Sequence, residues 1–325
     1  MSAGLLAKRG VFLAITAVSL YLLAPALLEV FGAFDQLDDF NPLWYVAMVA
    51  LQLGSYGCMW AVQHLAVRGE RLGPVITSQL AANAFGRVVP GGVAAAGALQ
   101  YAMLTRAGVP AAAAASGMTA SSVLVFGILL ALPLLALPAI LFGAPVDPGL
   151  WRAALIGGLV FLAMLLAVGR AAQVVRNRLL WRRAPLTGLP RRLVRERDEV
   201  RGVLGRRWWE ALLFAAGRWL LDYLTLLAAL TAVHGNPRPS TVLLAFCAVQ
   251  LLGTLPLTPG GLGIVEAGLT GTLALAGVDA GAAVVATLAY RLVSFWLPIP
   301  AGGVAAILHR RRYESSSAQP EPEPA

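Results

Sequence analysis

Charge is what this sequence has least of. Only 13% of its 325 residues are Asp, Glu, Lys or Arg, against roughly 25% in a water-soluble domain that must clothe its surface. Hydrophobic residues make up 58%, so most side chains have lipid as their solvent. Cysteine is nearly absent. Cys58 and Cys247 both lie inside apolar runs, which excludes a disulfide framework and leaves two small buried hydrophobes. The three histidines, His64, His234 and His309, share no paired spacing, so neither a metal nor a cofactor is expected. No Ser/His/Asp constellation and no glycine-rich nucleotide loop after a strand occurs, and no catalytic residue is assigned.

The charge that is present is unevenly placed. The net charge of +9 suggests nucleic acid until its distribution is read. Twelve arginines fall between Arg170 and Arg207, Arg310, Arg311 and Arg312 close the apolar part, and Lys8 and Arg9 precede it. This is the positive-inside pattern of cytoplasmic loops, and no basic domain interleaved with aromatics stands apart from the apolar runs. Nucleic acid is therefore set aside. The expected location is the cytoplasmic (inner) membrane, with both termini on the cytoplasmic side.

A membrane-spanning helix needs roughly 20 apolar residues to cross about 30 Å of hydrocarbon. Six stretches qualify: 11–31, 44–67, 111–142, 150–170, 208–233 and 279–308. Ala24-Pro25-Ala26 after the Lys-Arg start resembles a signal cleavage site, but removal there would destroy the symmetry described next. Two further apolar regions, 75–106 and 241–276, are broken near the middle by Pro90-Gly91-Gly92 and Pro259-Gly260-Gly261. Proline removes a donor and glycine permits a reversal, so each fragment is too short for a full crossing. Each region reads as a re-entrant pair that dips into the bilayer and returns to its own side. Two ordinary hairpins that cross fully are the alternative.

Shifting the first broken region by 169 residues superposes the two Pro-Gly-Gly runs, and also places Gly108-Val109 on Gly277-Val278 and Phe126 on Phe295. The chain thus reads as span, span, re-entrant pair, span, written twice: a first repeat over 1–149 and a second over 150–312. Three crossings per repeat is odd, so the second is inverted. Asp35, Asp38, Asp39 and Asp147 would lie outside, Arg68, Arg71 and Arg106 inside, and the two turns would meet near the midplane. The basic stretch 170–207 carries Leu189, Leu193, Val200 and Leu204 at roughly helical spacing, so it either lies on anionic lipid or forms a solvated linker. The tail 313–325, rich in Ser, Pro and Glu, is expected to be disordered.

Five ionisable residues fall inside these segments: Arg87, Arg218, Asp222, Glu266 and Arg291. Such a residue costs at least about 2.5–3.5 kcal/mol at a helix centre, so each must face a partner or a polar cavity. Arg218 and Asp222 are one turn apart and can pair. Glu266 follows the second turn, within reach of Arg291, and Arg87 precedes the first turn beside Asn83. If every carboxylate pairs, one cation is left over, which suits an anionic ligand. The second helix of each broken pair also starts at the turn, with its N–H groups and positive dipole end aimed there. The bland alternative is a set of ion pairs that only hold helices together.

Pro259-Gly260-Gly261-Leu262-Gly263-Ile264-Val265-Glu266-Ala267, with Tyr290-Arg291 and Phe295-Trp296-Leu297-Pro298, resembles the flippase-like transmembrane region of lysylphosphatidylglycerol synthases. Pro90-Gly91-Gly92-Val93 is similar to that family's N-terminal glycine-rich motif, and the resemblance runs to about Arg312. It implies a lipid-translocating domain, with Glu266, Tyr290 and Arg291 at the family's recurrent polar positions. The chain departs from the pattern at Ala94-Ala95-Ala96 and Leu99-Gln100, where the family often has an acidic residue and an arginine. Another departure is Val265, where an arginine often precedes the glutamate. No counterpart of the synthases' aminoacyl-transferring domain is expected.

The expectation is about six transmembrane helices plus two opposed re-entrant helical hairpins in an inverted repeat. It would bind and flip an anionic or phosphate-bearing lipid. Asn83, Arg87, Arg218, Asp222, Glu266, Tyr290 and Arg291 would form the site, with both Pro-Gly-Gly turns as hinges. Two rivals stand beside it. One is a non-transporting scaffold for a separate lipid- or glycan-modifying enzyme. The other is an intramembrane enzyme on a polyprenyl or glycolipid substrate, using Glu266 or Asp222.

Overall fold

The computed structural model describes residues 41–67, 71–89, 92–136, 205–235, 238–254 and 258–314, with isolated positions 148, 152 and 159. Among these residues the secondary structure is entirely helical. Helix α1 is Pro42–Val67, α2 Leu72–Val88, α3 Gly92–Arg106 and α4 Ala111–Ala131, prolonged by a 3-10 turn at Leu132–Ala136. Helix α5 is Trp208–Ala232, α6 Pro239–Leu252, α7 Ile264–Leu275, α8 Ala280–Arg291 and α9 Pro298–His309. A π turn at Leu292–Trp296 joins α8 to α9.

Four helical rods are long and apolar enough to cross a membrane: Pro42–Val67, Ala111–Ala136, Trp208–Ala232 and Ala280–Tyr313. They correspond to four of the six expected spans. The span expected over 11–31 lies outside the described residues, as do nearly all of 150–170, most of the basic stretch 170–207 and most of the tail. The last rod continues five residues beyond the expected end at 308, through Arg310, Arg311 and Arg312. Three arginines argue against lipid burial, but long basic side chains reach back to the interface from a helix end.

Both broken regions are broken in the structure. Helix α2 has 17 residues and α3 has 15, so at 1.5 Å per residue they are about 26 and 23 Å long. Helices α6 and α7 have 14 and 12 residues, about 21 and 18 Å. Pro90 and Gly91 lie outside the described residues, but Gly92 shows how the first pair closes. A Cβ there would stand 1.7 Å from the carbonyl oxygen of Gly86, so the two helices touch backbone to backbone where no side chain fits. In the second turn Gly260 and Gly261 take φ of +60° and +72°, the left-handed region that glycine enters without penalty.

The sequence repeat has a backbone counterpart. After α3, Ala107 N donates to Met103 O, Gly108 N to Thr105 O and Val109 N to Leu104 O; after α7, the bonds are Ala276 to Thr272, Gly277 to Ala274 and Val278 to Leu273. All three pairs are related by 169 positions. Both glycines have positive φ, +91° and +86°, and each turn closes the helix end in the same left-handed manner. Helices α4 and α8 then begin at matching positions, Ala111 and Ala280, the latter capped by the Asp279 carboxylate, which accepts from Gly281 N and Ala282 N.

Packing follows from small residues and polar bonds, since lipid gives no hydrophobic drive between helices. Helix α6 is enclosed by its neighbours, with every residue from Thr241 to Val249 buried. Phe246 stands edge-on to Trp219 and Tyr223, with ring centres 6.2 and 5.7 Å away. Trp219 Nε1 donates to Val125 O at 2.7 Å, which pins α5 to α4. Helix α9 lies on α2 through Gly302, where a Cβ would come within 2.4 Å of Leu80 O. Buried His309 ties the same end together, meeting Thr77 Oγ1 at 2.7 Å and Met103 O at 3.0 Å.

Candidate functional site

Six of the seven polar residues expected at the site fall into two adjoining networks, one around Asp222 and one around Phe295; Asn83 bonds to neither. In the first, Arg218 Nη1 donates to Asp222 Oδ2 at 3.1 Å, one helical turn away as the spacing requires. Gln250 Nε2 donates to the same oxygen and Tyr290 OH to Oδ1, both at 3.1 Å. Arg218 also donates to Ser55 Oγ at 3.0 Å, while Ser55 Oγ donates to the Arg218 carbonyl at 2.8 Å. Its guanidinium carbon lies 4.5 Å from the Trp219 ring centre. One carboxylate thus holds three donors from α5, α6 and α8, which is how a buried charge is made tolerable.

The second network sits at the turn of the second broken pair. Arg291 Nε donates to Glu266 Oε1 at 2.6 Å. Glu266 Oε2 accepts from Gly263 N at 2.8 Å, because the glutamate stands in the first turn of α7 and reaches back to the residue before it. The expected free N–H groups at this helix start are therefore partly engaged by the protein's own carboxylate. Arg291 Nη2 is buried and has no partner. The arginine side chain is 8% exposed and that of Glu266 14%.

Phe295 brings the other arginine in. The guanidinium carbons of Arg87 and Arg291 lie 5.0 and 4.1 Å from the centre of its ring. Arg87 donates through Nη1 to the Phe295 carbonyl and through Nη2 to Tyr56 OH, the latter at 3.0 Å. Among the described ion pairs Arg218 and Arg291 each have a carboxylate and Arg87 has none. Its partners are a carbonyl, a phenol and a ring face, all neutral.

The ends of the two broken regions also touch. A Cβ on Gly260 would lie 2.6 Å from the Phe295 ring and 2.9 Å from the carbonyl oxygen of Arg87. Helix α2 therefore delivers Arg87 directly onto the second Pro-Gly-Gly turn. Asn83, one turn back from Arg87, has a buried Oδ1 without a partner. Tyr290 belongs to the Asp222 network, not to the arginine pair beside it.

The expected roll of site residues omitted Ser55, Tyr56, Gln250 and Phe295. Gln250 and Tyr56 carry no formal charge, so a search for ionisable groups in apolar runs passes over them. The usable signal was a polar side chain, of any kind, inside a segment otherwise made of Ala, Leu and Val.

The family described as the lysylphosphatidylglycerol synthase TM region matches residues 10–302. The chain belongs to that family. A UPF0104 membrane protein of Methanothermobacter thermautotrophicus is 36% identical over 89 residues, which is 27% of this chain and 26% of that protein. Another UPF0104 membrane protein, from Pyrococcus horikoshii, is 30% identical over 112 residues, 34% of this chain and 33% of its own length. The matched stretches cover only about a quarter to a third of those relatives. Within the family's matched range lie both broken regions, both polar networks and the π turn between α8 and α9.

Proposed function

We propose that this member of the lysylphosphatidylglycerol synthase TM region family translocates an anionic or phosphate-bearing lipid. The headgroup would bind where the Arg87 and Arg291 guanidiniums converge on Phe295. The observation that carries this is the unbalanced charge there: Arg87 has neutral partners only, and Arg291 keeps a buried N–H group with none. Guanidinium groups are the side chains best suited to phosphate. A cationic, lysyl-type headgroup fits less well, because Asp222 already accepts from three donors and Glu266 from two. The same saturation argues against either carboxylate as the general base of an intramembrane enzyme.

The re-entrant, inverted arrangement belongs to this proposal. Helices α6 and α7 are too short to cross about 30 Å of hydrocarbon, and the burial of α6 inside the protein is what a non-spanning helix requires at membrane depth. The paired turns 169 residues apart support two copies of one unit, and an odd number of crossings in each would invert the second. Placement in the cell membrane, with cytoplasmic termini, follows from the loop charges.

The scaffold reading draws on the closed Asp222 network, which suffices to explain Arg218 and Asp222 as helix glue. One experiment separates the readings. In proteoliposomes the protein should speed leaflet exchange of a short-chain fluorescent anionic phospholipid, and the combined change Glu266→Gln with Arg291→Met should slow it while the protein stays folded. Equal rates in protein-containing and empty vesicles, across several headgroups and with an imposed ion gradient, would leave the scaffold ahead. Fast exchange indifferent to both changes would refute the site.

A further inference from the structure

The helices do not all hold one another in the same way. Helix α9 runs antiparallel to α2 and is fastened to it along its length. Arg87 takes the Phe295 carbonyl just before α9, Gly302 seats on the Leu80 carbonyl, and His309 meets Thr77 at the far end. Helix α3 closes on α2 backbone to backbone at Gly86 and Gly92, and His309 also reaches its Met103 carbonyl. These three helices make one packed unit, although α9 lies far along the chain from the other two. The other six described helices make a second. Gly117 of α4 seats on the backbone of Ala66 and Val67, Ser55 and Arg218 tie α1 to α5, and Asp222 gathers α5, α6 and α8. Thr270 Oγ1 donates to Thr287 Oγ1 at 3.4 Å, joining α7 to α8.

Burial separates the units too. Helix α6 is enclosed, whereas α9 buries only Pro298, Gly302, Ala305 and His309, a single stripe at helical spacing. Between the units the bonds run from side chain to side chain. Trp60 Nε1 donates to Gln79 Oε1 at 3.0 Å, Gln100 Nε2 to Gln63 Oε1 at 2.9 Å, and Arg87 to Tyr56 OH. The Gly260 turn meets the Arg87 carbonyl at the candidate site itself. An apolar cluster of Val75, Leu104 and Ala114 stands beside the connection from α3 into α4, where a rotation displaces atoms least. Polar side-chain bonds in a membrane exchange partners at small cost, whereas a glycine-seated backbone contact is close-packed and resists sliding. The chain passes between the units at 68–71, at Ala107–Pro110 and at the π turn.

We infer that α2, α3 and α9 move as one rigid body against the other six helices, turning about the connections from α1 to α2 and from α3 to α4. Resting on the reading of Arg87 and Arg291 as a phosphate site, this motion divides the site: Arg87 travels, while Arg291 and Glu266 stay. A phosphate held by both guanidiniums ties the bodies together, so its binding favours the closed arrangement and its release frees the turn. The dividing surface runs through the arginine site and does not follow the boundary between the two halves of the sequence, where inverted-repeat transporters usually divide.

Pulsed electron resonance on spin-labelled cysteine pairs, in a background lacking Cys58 and Cys247, reads the motion without a transport assay. Labels at the exposed positions Val93 on α3 and Leu213 on α5 span the divide; Val93 with Val304, and Leu53 with Leu213, each lie within one body. In phosphatidylcholine nanodiscs the spanning pair should show two distances, and added phosphatidic acid should leave one, while both control pairs keep a single narrow distance. A spanning pair as narrow as the controls in both lipids would overturn the moving body, and a control pair with two distances would overturn its membership. Two distances indifferent to phosphatidic acid would overturn the link to the phosphate site. The second arm is functional. Linking Gln63→Cys to Gln100→Cys with a short bis-thiosulfonate should reduce exchange of a fluorescent anionic phospholipid to the level of empty vesicles, and reduction should restore it. Linking Thr77→Cys to His309→Cys, inside one body, should not. Exchange that persists after complete linking of 63 to 100 would refute this motion as the carrier of transport. No exchange in the unlinked protein, with two distances seen, would overturn the translocase reading and leave the moving body standing.

Discussion

Removing the Glu266 carboxylate should harm this protein more than removing Glu266 and Arg291 together. The two meet at 2.6 Å with little exposure, and the second guanidinium nitrogen of Arg291 already lacks a partner. Breaking one side of such a pair leaves an uncompensated charge in low dielectric and costs about 3–5 kcal/mol. Glu266→Gln retains one acceptor, which can serve either Arg291 or Gly263 N but not both as well, so a value near the lower end, about 3 kcal/mol, is expected. Arg291→Met strands the carboxylate but leaves its bond to Gly263, and should cost a similar amount. If the losses were independent, the double variant would lose about 6 kcal/mol; the pair predicts less than the loss of either single variant, about 3 kcal/mol, and so a coupling of at least about 3 kcal/mol. Thermal unfolding of the four purified proteins in one detergent, with reversibility checked, reads the cycle. Additive losses would mean that the residues never interact, and the charge argument at Phe295 would fall with them.

Gly92→Ala should prevent the first broken pair from closing, since its methyl would overlap the Gly86 carbonyl, whereas Gly97→Ala, on the same helix with nothing within 4 Å, should be neutral or gain up to about 1 kcal/mol. Expression and melting of the two variants decide this. Tyr290→Phe should cost about 1–2 kcal/mol by leaving Asp222 Oδ1 without its donor, and Asp222→Asn should cost more, because Arg218 then keeps no carboxylate; equal melting curves would contradict the network. In a background lacking Cys58 and Cys247, single cysteines at positions 147 and 236 should be labelled from outside and one at 187 only from inside. Labelling from outside alone at 69 or 106 would contradict the inverted arrangement.

Elements set by chain chemistry were readable in advance. Pro-Gly-Gly in an apolar run breaks a helix: α3 starts at Gly92 of the first run, and the second run lies between α6, which already ends at Leu252, and α7. Four helices long and apolar enough to cross a membrane followed from length and hydropathy. Arg218 with Asp222 could be paired from spacing alone, because a turn of helix fixes that distance. Glu266 with Arg291 required the two segments to be adjacent, which the turn and the repeat suggested without giving a distance. What could not be read depends on register between helices. Nothing in the sequence says that Gln250 and Tyr290 face Asp222, nor that Phe295 receives two guanidiniums. The π turn at Leu292–Trp296 was hidden for the same reason, since one extra residue per turn leaves no compositional mark.

That turn divides a single rod between two sets of neighbours. Upstream of it, α8 packs on α5 and α7; downstream, α9 packs on α2 and is pinned by His309 to Thr77 and Met103. At the division the backbone switches to a five-residue bond, Leu297 N to Leu292 O, and two prolines withhold their donors just beyond it. The rod therefore has a joint one turn long, with Arg291 at its near edge and Phe295 within it. A bend there would move the carbonyl that Arg87 grips and the ring that both arginines share. A ligand that drew either guanidinium away would thus act on the one turn where the rod's hydrogen bonding changes.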